Sequence, residues 1–433
     1  MLPPFPNPTD PARRTLTPYR KHLVRLLLFL IVVPNLFVSL STAKSRGGDF
    51  RSYLIAGERF LAGQFLYEGS GVAFNVTWPP FFAVFIAPFA LLARVSLPLT
   101  QMLWYCISIA MFFWTMHLWC RLAYGKPLGG FDERSDLSLY SGAVVLPLLL
   151  TVEPLLRTFV QLQINVMILF FLSMGFLRLN DGRERTAGFW FGLAAAIKAF
   201  PVVVLAYLLI RRRIRAAAFM GLTSLALTAL PVFRYGLPLY LDHVRAWIRL
   251  SLSGGYPVGS LNQSVYAMVA RWIASDPFVL MTTKLPPPAA DDPRTVTATW
   301  VFRGLFLFFL AGFLHVAFRK HDRRPDAEAA FWILLGMVFS PVAWVHYWVL
   351  IFPAVFVLWR ELLRRPDRTV GWMFWSAAFL ITGLNVTGRI FPPVRGVAHS
   401  VLSTMTLGAL VLLAALLVVM ARSGRSGQTE PAA

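Results

Sequence analysis

Apolar stretches long enough to cross a lipid bilayer recur along almost the whole of this 433-residue chain. A spanning helix needs about 20 mainly apolar residues. The hydrophobic content of 57% and the 37 phenylalanines exclude an ordinary soluble domain. We predict an all-α polytopic membrane protein, a bundle of about 12 transmembrane helices. The predicted apolar segments are 22–42, 79–94, 98–120, 139–156, 162–179, 187–197, 199–210, 214–232, 299–318, 327–341, 344–362, 370–386 and 399–421.

Three of these segments, 79–94, 187–197 and 327–341, are too short to cross about 30 Å as straight helices. We expect them to be broken, tilted or re-entrant, which is tolerated where a segment lines a cavity in the protein. If all thirteen segments crossed the membrane, the odd number of crossings would leave the two termini on opposite sides of it. Either 79–94 dips back, or 187–210 is one helix.

The net charge of +21 is distributed in short basic segments between the apolar runs. This is the positive-inside pattern of membrane topology, so no nucleic-acid partner is expected and both termini are predicted to be cytoplasmic. The basic residues are Arg13, Arg14, Arg20, Lys21 and Arg25, then Arg211, Arg212, Arg213 and Arg215, then Arg319, Lys320, Arg323 and Arg324, then Arg364, Arg365 and Arg368, and finally Arg422 and Arg425.

The domain organisation follows from these segments. Residues 1–21 are predicted to be a disordered cytoplasmic tail, 22–421 a single integral membrane domain, and 422–433 a second cytoplasmic tail. Loops 43–78 and 233–298 are predicted to be non-cytoplasmic.

Both of these loops contain amphipathic patterns. In the first loop, apolar residues from Phe50 to Leu61 recur at helical spacing and the pattern ends at Gly63. In the second loop, residues 238–250 show the same pattern. We expect both helices to lie in the membrane interface.

The two cysteines carry no information about redox compartment. Cys106 and Cys120 lie in one predicted helix, where 14 residues separate them by about 21 Å. A disulfide requires Cα atoms within about 7 Å, so no bridge is predicted. No cluster of ligands has metal-binding spacing, and neither a metal nor another cofactor is expected.

Asp49 lies just after the first apolar segment, in the sequence Gly47-Gly48-Asp49-Phe50-Arg51. An aspartate immediately before a helix can cap it, since its oxygens accept backbone N–H bonds. A single carboxylate at the membrane surface can also act as a general base. The two roles are compatible and both stay open, with Glu58 and Glu68 as alternative carboxylates on the same loop.

Lys198 lies inside an apolar run, in Gly192-Leu-Ala-Ala-Ala-Ile-Lys198-Ala-Phe-Pro201. A lysine at the centre of a spanning helix costs about 2.5–3.5 kcal/mol and usually marks function. Pro201 predicts a break in the helix, which would let the ammonium meet an anionic group. The alternative is that the side chain reaches toward the lipid headgroups.

His346 lies in the segment Ser340-Pro341-Val-Ala-Trp344-Val-His346-Tyr347-Trp348, between basic clusters about twenty residues away on each side. This spacing predicts a non-cytoplasmic membrane boundary, where tryptophan and tyrosine often form an aromatic belt. The histidine can contact a phosphate or be structural.

Four further polar residues are candidates for substrate binding. Arg157, Gln163 and Asn165 lie at the start of one apolar segment, where buried amides can instead join helices. Asn262 lies in the second non-cytoplasmic loop.

Several of these stretches, in this order, resemble glycosyltransferase family 87, the polyprenyl-phosphate-mannose-dependent mannosyltransferases of the GT-C superfamily. In that family the first loop has an aspartate followed by a tyrosine-containing amphipathic helix, and Asp49 and Tyr53 are similar to these. Gly63 and Tyr67 resemble the Gly…Tyr pair that follows. Trp78-Pro79-Pro80 resembles an aromatic-Pro-Pro element that opens the next helix.

Three later elements extend the resemblance to about residue 360. The Gly-Leu-Ala-Ala-x-x-Lys-x-x-Pro element is matched around Lys198, and the Ser-Pro-x-x-Trp-x-His-Tyr element is complete around His346 and Tyr347. The Gly-Gln-x-Asn element corresponds to Leu162-Gln163-Ile164-Asn165. Leu162 stands where the family has glycine.

The resemblance implies a GT-C-type bundle and an inverting sugar transfer from a polyprenyl-phosphate donor to a hydroxyl of a glycolipid or glycan. It implies that Asp49 is the catalytic base and that His346 contacts the donor phosphate. From the residues themselves we add Lys198 at that phosphate. Tyr53, Arg157, Gln163, Asn165, Asn262 and Tyr347 are assigned to substrate binding.

The expected location is the cell membrane, with the site on the non-cytoplasmic face and membrane lipid around it. Two other functions stay open. One is a GT-C transferase that uses another lipid-phosphate sugar, such as arabinose. The other is a polytopic transporter or lipid flippase, which would have paired charges near the bilayer centre and not candidate residues gathered at one face.

Overall fold

The computed structural model of the chain describes residues 18–46, 48–67, 78–132, 134–252, 256–273, 292–319, 323–391, 398 and 402–422. Within these ranges the regular elements are helices, and the one extended pairing is an isolated bridge between Asn262 and Trp344. The predicted all-α class is therefore confirmed. Most of both predicted tails lies outside the described residues.

The described helices are numbered in chain order. They are α1 (Pro18–Arg46), α2 (Gly48–Ala62), α3 (Phe81–Val95), α4 (Leu97–Tyr124), α5 (Gly142–Leu150), α6 (Val152–Val160), α7 (Asn165–Asn180), α8 (Glu184–Ile197), α9 (Val203–Ile210), α10 (Ile214–Ala229), α11 (Val232–Leu252), α12 (Val265–Ile273), α13 (Pro293–Arg319), α14 (Pro325–Val338), α15 (Phe352–Arg364), α16 (Arg368–Ala378), α17 (Leu384–Ile390) and α18 (Thr404–Arg422). Tight 3-10 turns cover Phe200–Val202 and Val345–Ile351, and a wider turn covers Phe379–Gly383.

Five helical stretches of the described chain are long and apolar enough to cross a membrane, or up to seven if each of two bent pairs is one span. The chain is therefore a multi-pass membrane protein. The predicted count of about 12 is not confirmed, because several apolar segments form short or broken helices. Three short apolar ones are Phe81–Val95, Asn165–Asn180 and Phe200–Ile210. The two cysteines lie in α4 and are free, as predicted.

The helical conformation is interrupted at Lys198. Helix α8 ends at Ile197, and Lys198 has an extended backbone with φ −147° and ψ 130°. A 3-10 turn that contains Pro201 follows. Proline has no N–H to donate to the preceding turn, so the helix does not continue through this position. The expected break is confirmed, and the alternative that 187–210 forms one helix is wrong.

Helix α2 is the predicted amphipathic helix of the first loop, and it ends at Gly63, which has a φ of +69°. Its apolar face packs on α3 and is covered by protein, with Phe50 only 2% exposed. Gly57 allows this close approach, since a Cβ there would lie 2.9 Å from that of Ala90.

The second predicted amphipathic segment, 238–250, lies within α11. Helix α11 leaves α10 at a bend of 95°, so it would lie along the membrane surface if α10 spans the membrane. Its Arg234 donates hydrogen bonds to the carbonyls of Phe60 (3.3 Å) and Leu61 (2.7 Å). These carbonyls are at the C-terminus of α2, where a cation is favourable. The contact fixes the far end of the helix that carries Asp49.

Candidate active site

The turn between α6 and α7 has the hydrogen bonds of a Schellman motif. The N–H of Leu162 donates to Phe159 O (3.0 Å), and the N–H of Gln163 donates to Thr158 O (2.9 Å). Leu162 has a φ of +50°, the left-handed conformation in which glycine is usual. The turn therefore keeps the shape that the family's glycine would give, although leucine occupies the position.

Leucine can be tolerated there because its side chain is buried, only 2% exposed. Burying a leucine contributes about 1.5–3 kcal/mol. The left-handed conformation costs an L-residue about 1–2 kcal/mol. The gain therefore offsets the strain, and the next residue, Gln163, is held at a defined place.

Gln163 links Tyr53 to Asp49 through its side-chain amide. Its Oε1 accepts from the hydroxyl of Tyr53 at 2.7 Å, and its Nε2 donates to Oδ2 of Asp49. An ionised carboxylate only accepts hydrogen bonds, so the amide N–H₂ must face Asp49, and Oε1 is left to accept from the tyrosine hydroxyl. Tyr53 and Gln163 are buried, and this rigid pair holds Asp49 in place.

Lys198 points into the protein. Its Nζ donates to Asn165 Oδ1 at 2.7 Å and lies 3.3 Å from the centroid of the Tyr347 ring. The residue is only 7% exposed. The ammonium therefore does not extend toward the headgroups, and an amide and an aromatic face compensate its burial.

His346 completes the cluster. Its Nε2 lies 3.5 Å from Asp49 Oδ2, and its backbone carbonyl accepts from Thr158 Oγ1 (2.7 Å) and Asn165 Nδ2 (3.2 Å). The histidine is thus tied by its main chain to the same turn that places Gln163. We call Asp49, Tyr53, Gln163, Asn165, Lys198, His346 and Tyr347 the polar cluster.

Desolvation raises the pKa of Asp49 above that of an ordinary aspartate. The hydrogen bond from Gln163 and the positive charge of Lys198 oppose this rise. The side chain is nevertheless 47% exposed, compared with 12% for His346, so the carboxylate is the open member of the cluster. Among the described residues Oδ2 has partners, whereas none is found for Oδ1.

Asp49 lies in the first turn of α2, which begins at Gly48. The helix dipole favours a carboxylate at this position. Asp49 thus lies inside the helix and not before it, and among the described residues its carboxylate has side-chain partners, with no backbone N–H that would make it a cap. Of the alternative carboxylates, Glu58 is exposed on the polar face of α2, and Glu68 lies outside the described residues.

Asn262 is not brought into the polar cluster. Its side-chain amide donates to Pro257 O (2.7 Å) and Pro341 O (3.2 Å) and accepts from the N–H groups of Ser264 and Ala343. All four bonds are to backbone groups. The amide holds the segment just before His346, whereas we predicted a substrate contact.

Arg157 lies beside the cluster on α6 and donates through Nε to Glu153. Sequence reasoning did not identify Glu153 or Thr158. Glu153 precedes Arg157 by four residues, a spacing at which side chains meet on a helix, so the pair could have been found. The bond from Thr158 to His346 joins residues 188 apart, and no local pattern indicates it.

Among the described residues, no group of three or more His, Cys, Asp or Glu side chains could hold a metal ion. The polar cluster itself has the parts needed for proton abstraction next to an anion. It has one partly open carboxylate, one buried ammonium and one histidine.

Comparison with known proteins identifies the class. The profile of glycosyltransferase family 87 matches residues 77–341, more than half of the chain. The chain therefore belongs to this family and is a glycosyltransferase, as its motifs predicted.

Three curated relatives are similar over most of the chain. A Mycobacterium tuberculosis polyprenol-phosphate-mannose-dependent alpha-(1-2)-phosphatidylinositol mannoside mannosyltransferase is 27% identical over 398 residues, which are 79% of this chain and 86% of the relative. The Mycolicibacterium smegmatis protein of the same name is 26% identical, covering 78% of this chain and 74% of the relative.

The third relative is a Mycobacterium tuberculosis polyprenol-phosphate-mannose-dependent alpha-(1-2)-phosphatidylinositol pentamannoside mannosyltransferase, 26% identical over 306 residues. The match covers 68% of this chain and 61% of that relative's length. No solved structure matches the chain significantly.

Proposed function

We propose that this protein transfers mannose from a polyprenyl-phosphate donor to a hydroxyl group of a glycolipid acceptor, with inversion at the anomeric carbon. The observation that carries the proposal is the polar cluster, in which a partly open carboxylate lies 3.5 Å from His346, in one hydrogen-bonded network with a buried lysine. The printed names of all three relatives specify polyprenol-phosphate-mannose, which supports this donor.

Asp49 is the general base in this reaction. Its Oδ1 takes the proton of the acceptor hydroxyl, and the hydroxyl oxygen forms a bond to C1 of the sugar. The bond between C1 and the phosphate oxygen breaks, and its electron pair leaves on the polyprenyl phosphate. A β-linked donor gives an α-linked product. The raised pKa of Asp49 makes its carboxylate a stronger base than an ordinary aspartate.

The donor phosphate binds next to Lys198, His346 and Arg157. The ammonium of Lys198 uses one of its three donor positions on Asn165 and packs on Tyr347, which leaves charge for an anion. A phosphate leaves readily, and a cation that stabilises the developing charge contributes more to the rate than an acid would. The proposed reaction uses neither a metal nor a cofactor.

The acceptor is proposed to be a glycolipid, because the relatives' names specify phosphatidylinositol mannosides. We place the site on the non-cytoplasmic face of the cell membrane. This placement rests on charge: exposed arginines, including Arg212 and Arg215, lie at the opposite end of α9 from Lys198. The positive-inside rule puts that arginine-rich end in the cytoplasm.

The test uses membranes that contain either the wild-type protein or Asp49→Asn, incubated with radiolabelled polyprenyl-phosphate-mannose and a glycolipid acceptor. Wild type should transfer label. The variant should lose about 10²–10⁴-fold in turnover, the usual contribution of a general base. Protein level and donor binding should be kept, since asparagine has nearly the same shape.

Glu58→Gln is the matched control, because it neutralises an exposed carboxylate on the same helix. It should keep wild-type turnover. Equal turnover in wild type and Asp49→Asn would reject Asp49 as the base. Failure of the wild-type protein to transfer label would reject the donor.

A further inference from the structure

An ion pair on α6 orients the arginine that lies beside the polar cluster. Glu153 and Arg157 are four residues apart, and the Nε of Arg157 donates to Oε1 of Glu153. The side chain of Glu153 is only 4% exposed and that of Arg157 is 15% exposed. A carboxylate buried to this degree holds its partner in one rotamer, because either charge alone would be costly there.

The pair leaves one edge of the guanidinium available. A guanidinium group presents five N–H donors in a planar fork, and it can bind an oxyanion through two parallel hydrogen bonds. Glu153 occupies Nε. For Nη1 and Nη2 of Arg157 there is no protein partner among the described residues, and the side chain keeps some exposure.

Arg157 lies on a helix that contacts the polar cluster. The residue after Arg157, Thr158, donates from its hydroxyl to the carbonyl of His346 at 2.7 Å. Helix α6 packs on the turn that carries His346. Arg157 is therefore on the helix that packs next to the place proposed for the donor phosphate.

We propose that Glu153 is a positioning residue that holds Arg157 by its Nε and so directs Nη1 and Nη2 at the phosphate of the lipid-linked donor. This inference rests on the proposed function. Glu153 does not touch the substrate, and it acts on donor binding through Arg157. The carboxylate also neutralises the guanidinium, so the phosphate is recognised by geometry more than by net charge.

A second ion pair shows what a purely structural arginine looks like in this protein. Arg211 donates Nε and Nη2 to the two oxygens of Glu328, and its Nη1 donates to Ala317 O at 3.1 Å. All three nitrogens have protein partners. This pair, in which no nitrogen is without a protein partner, is therefore the matched control.

The experiment compares Glu153→Ala, Arg157→Ala and the double variant with Glu328→Ala in membranes. The donor KM, kcat, melting temperature and direct binding of polyprenyl phosphate are measured. Glu153→Ala should raise the donor KM and the dissociation constant of polyprenyl phosphate about tenfold, with a smaller change in kcat. In the Arg157→Ala background the same change should add nothing further.

Glu328→Ala should lower the melting temperature and keep the donor KM. Glu153→Asp keeps the charge but withdraws the carboxylate by one methylene group, and it should raise the donor KM in the same direction. Glu153→Asp replaces Glu153→Ala in the comparison if the alanine variant fails to accumulate. A purely structural role for Glu153 would lower the melting temperature of both Glu153 variants without raising KM.

The proposal is overturned if the Glu153 variants keep the wild-type KM, or if their effect adds fully to that of Arg157→Ala. Failure of the underlying function gives a different result. In that case wild-type protein neither binds polyprenyl phosphate nor uses the mannosyl donor, whatever residue occupies position 153.

Discussion

The Arg211 end of this helix bundle and the polar cluster handle buried charge in different ways. At the end marked by Arg211, charges meet directly: Arg211 with Glu328 at 3.0 Å, Arg324 with Glu361 at 2.8 Å, and Arg360 with Asp326 at 2.6 Å. In the polar cluster, neutral amides stand between the charges. Gln163 contacts the carboxylate and Asn165 contacts the ammonium.

The same helices connect these ends. Helix α9 runs between Lys198 and Arg211, and α14 begins near Glu328 and leads toward His346. Arg211 is neutralised by Glu328 and has a protein partner on each of its three nitrogens, so it contributes structure. Charges separated by amides remain available, because neither the ammonium nor the carboxylate is cancelled by a close partner. This difference supports the site proposed above.

The largest effect on stability is expected at the paired end. Glu328→Ala leaves the guanidinium of Arg211 buried without its counterion, and breaking such a pair costs about 3–5 kcal/mol. Asp49→Asn should change the free energy of unfolding by far less, because its side chain is 47% exposed. Thermal unfolding of purified protein in detergent measures both. Equal losses would remove the distinction between the two ends.

Lys198→Met should uncouple activity from stability. The substitution removes a buried charge and keeps an unbranched side chain, so stability should be unchanged or higher. Turnover should fall about 100-fold, because the leaving phosphate loses its cation. Kinetics and melting curves are recorded on the same preparation. A Lys198→Met protein that unfolds early would show that this lysine is structural.

The pH dependence of turnover should report on Asp49. The carboxylate is the active form, and desolvation raises its pKa, so activity should be lost as pH falls through a value above that of an ordinary aspartate. Gln163→Leu removes a hydrogen bond that lowers the pKa. The acid limb of the kcat profile should therefore move to higher pH. A shift to lower pH would contradict the proposed network.

The smallest effect is expected at Leu162. Leu162→Gly relieves the left-handed strain but loses a buried side chain, and the two changes oppose each other. The free energy of unfolding should change by about 1 kcal/mol or less. Leu169→Ala, at a fully buried position in α7, should cost about 2–5 kcal/mol. Equal losses at the two positions would show that Leu162 is not strained.

Much of the fold could be predicted from local patterns. The amphipathic spacing of 50–61 predicted α2 and its end at Gly63, and Pro201 predicted the break after Lys198. The number of spans could not be predicted. Apolar composition does not distinguish a helix that crosses the bilayer from a short one buried among others, such as α14.

The candidate site was predictable as a set of residue types and not as a set of contacts. An aspartate, a lysine and a histidine near membrane boundaries are unusual enough to be noticed in a sequence. Asn262 shows the limit of such reasoning, because a buried amide can form hydrogen bonds with backbone groups or with a substrate equally well. Which of these it does depends on its neighbours in space.

By itself the sequence determined that this chain is helical and lies in a membrane, because every spanning segment must satisfy its own backbone in lipid. Its motifs also determined the family. Only the tertiary structure decided that residues 49, 163, 198 and 346 meet through shared hydrogen bonds. The reason is physical: contacts between residues more than 30 positions apart depend on how helices pack, and helix packing leaves no periodic trace in the sequence.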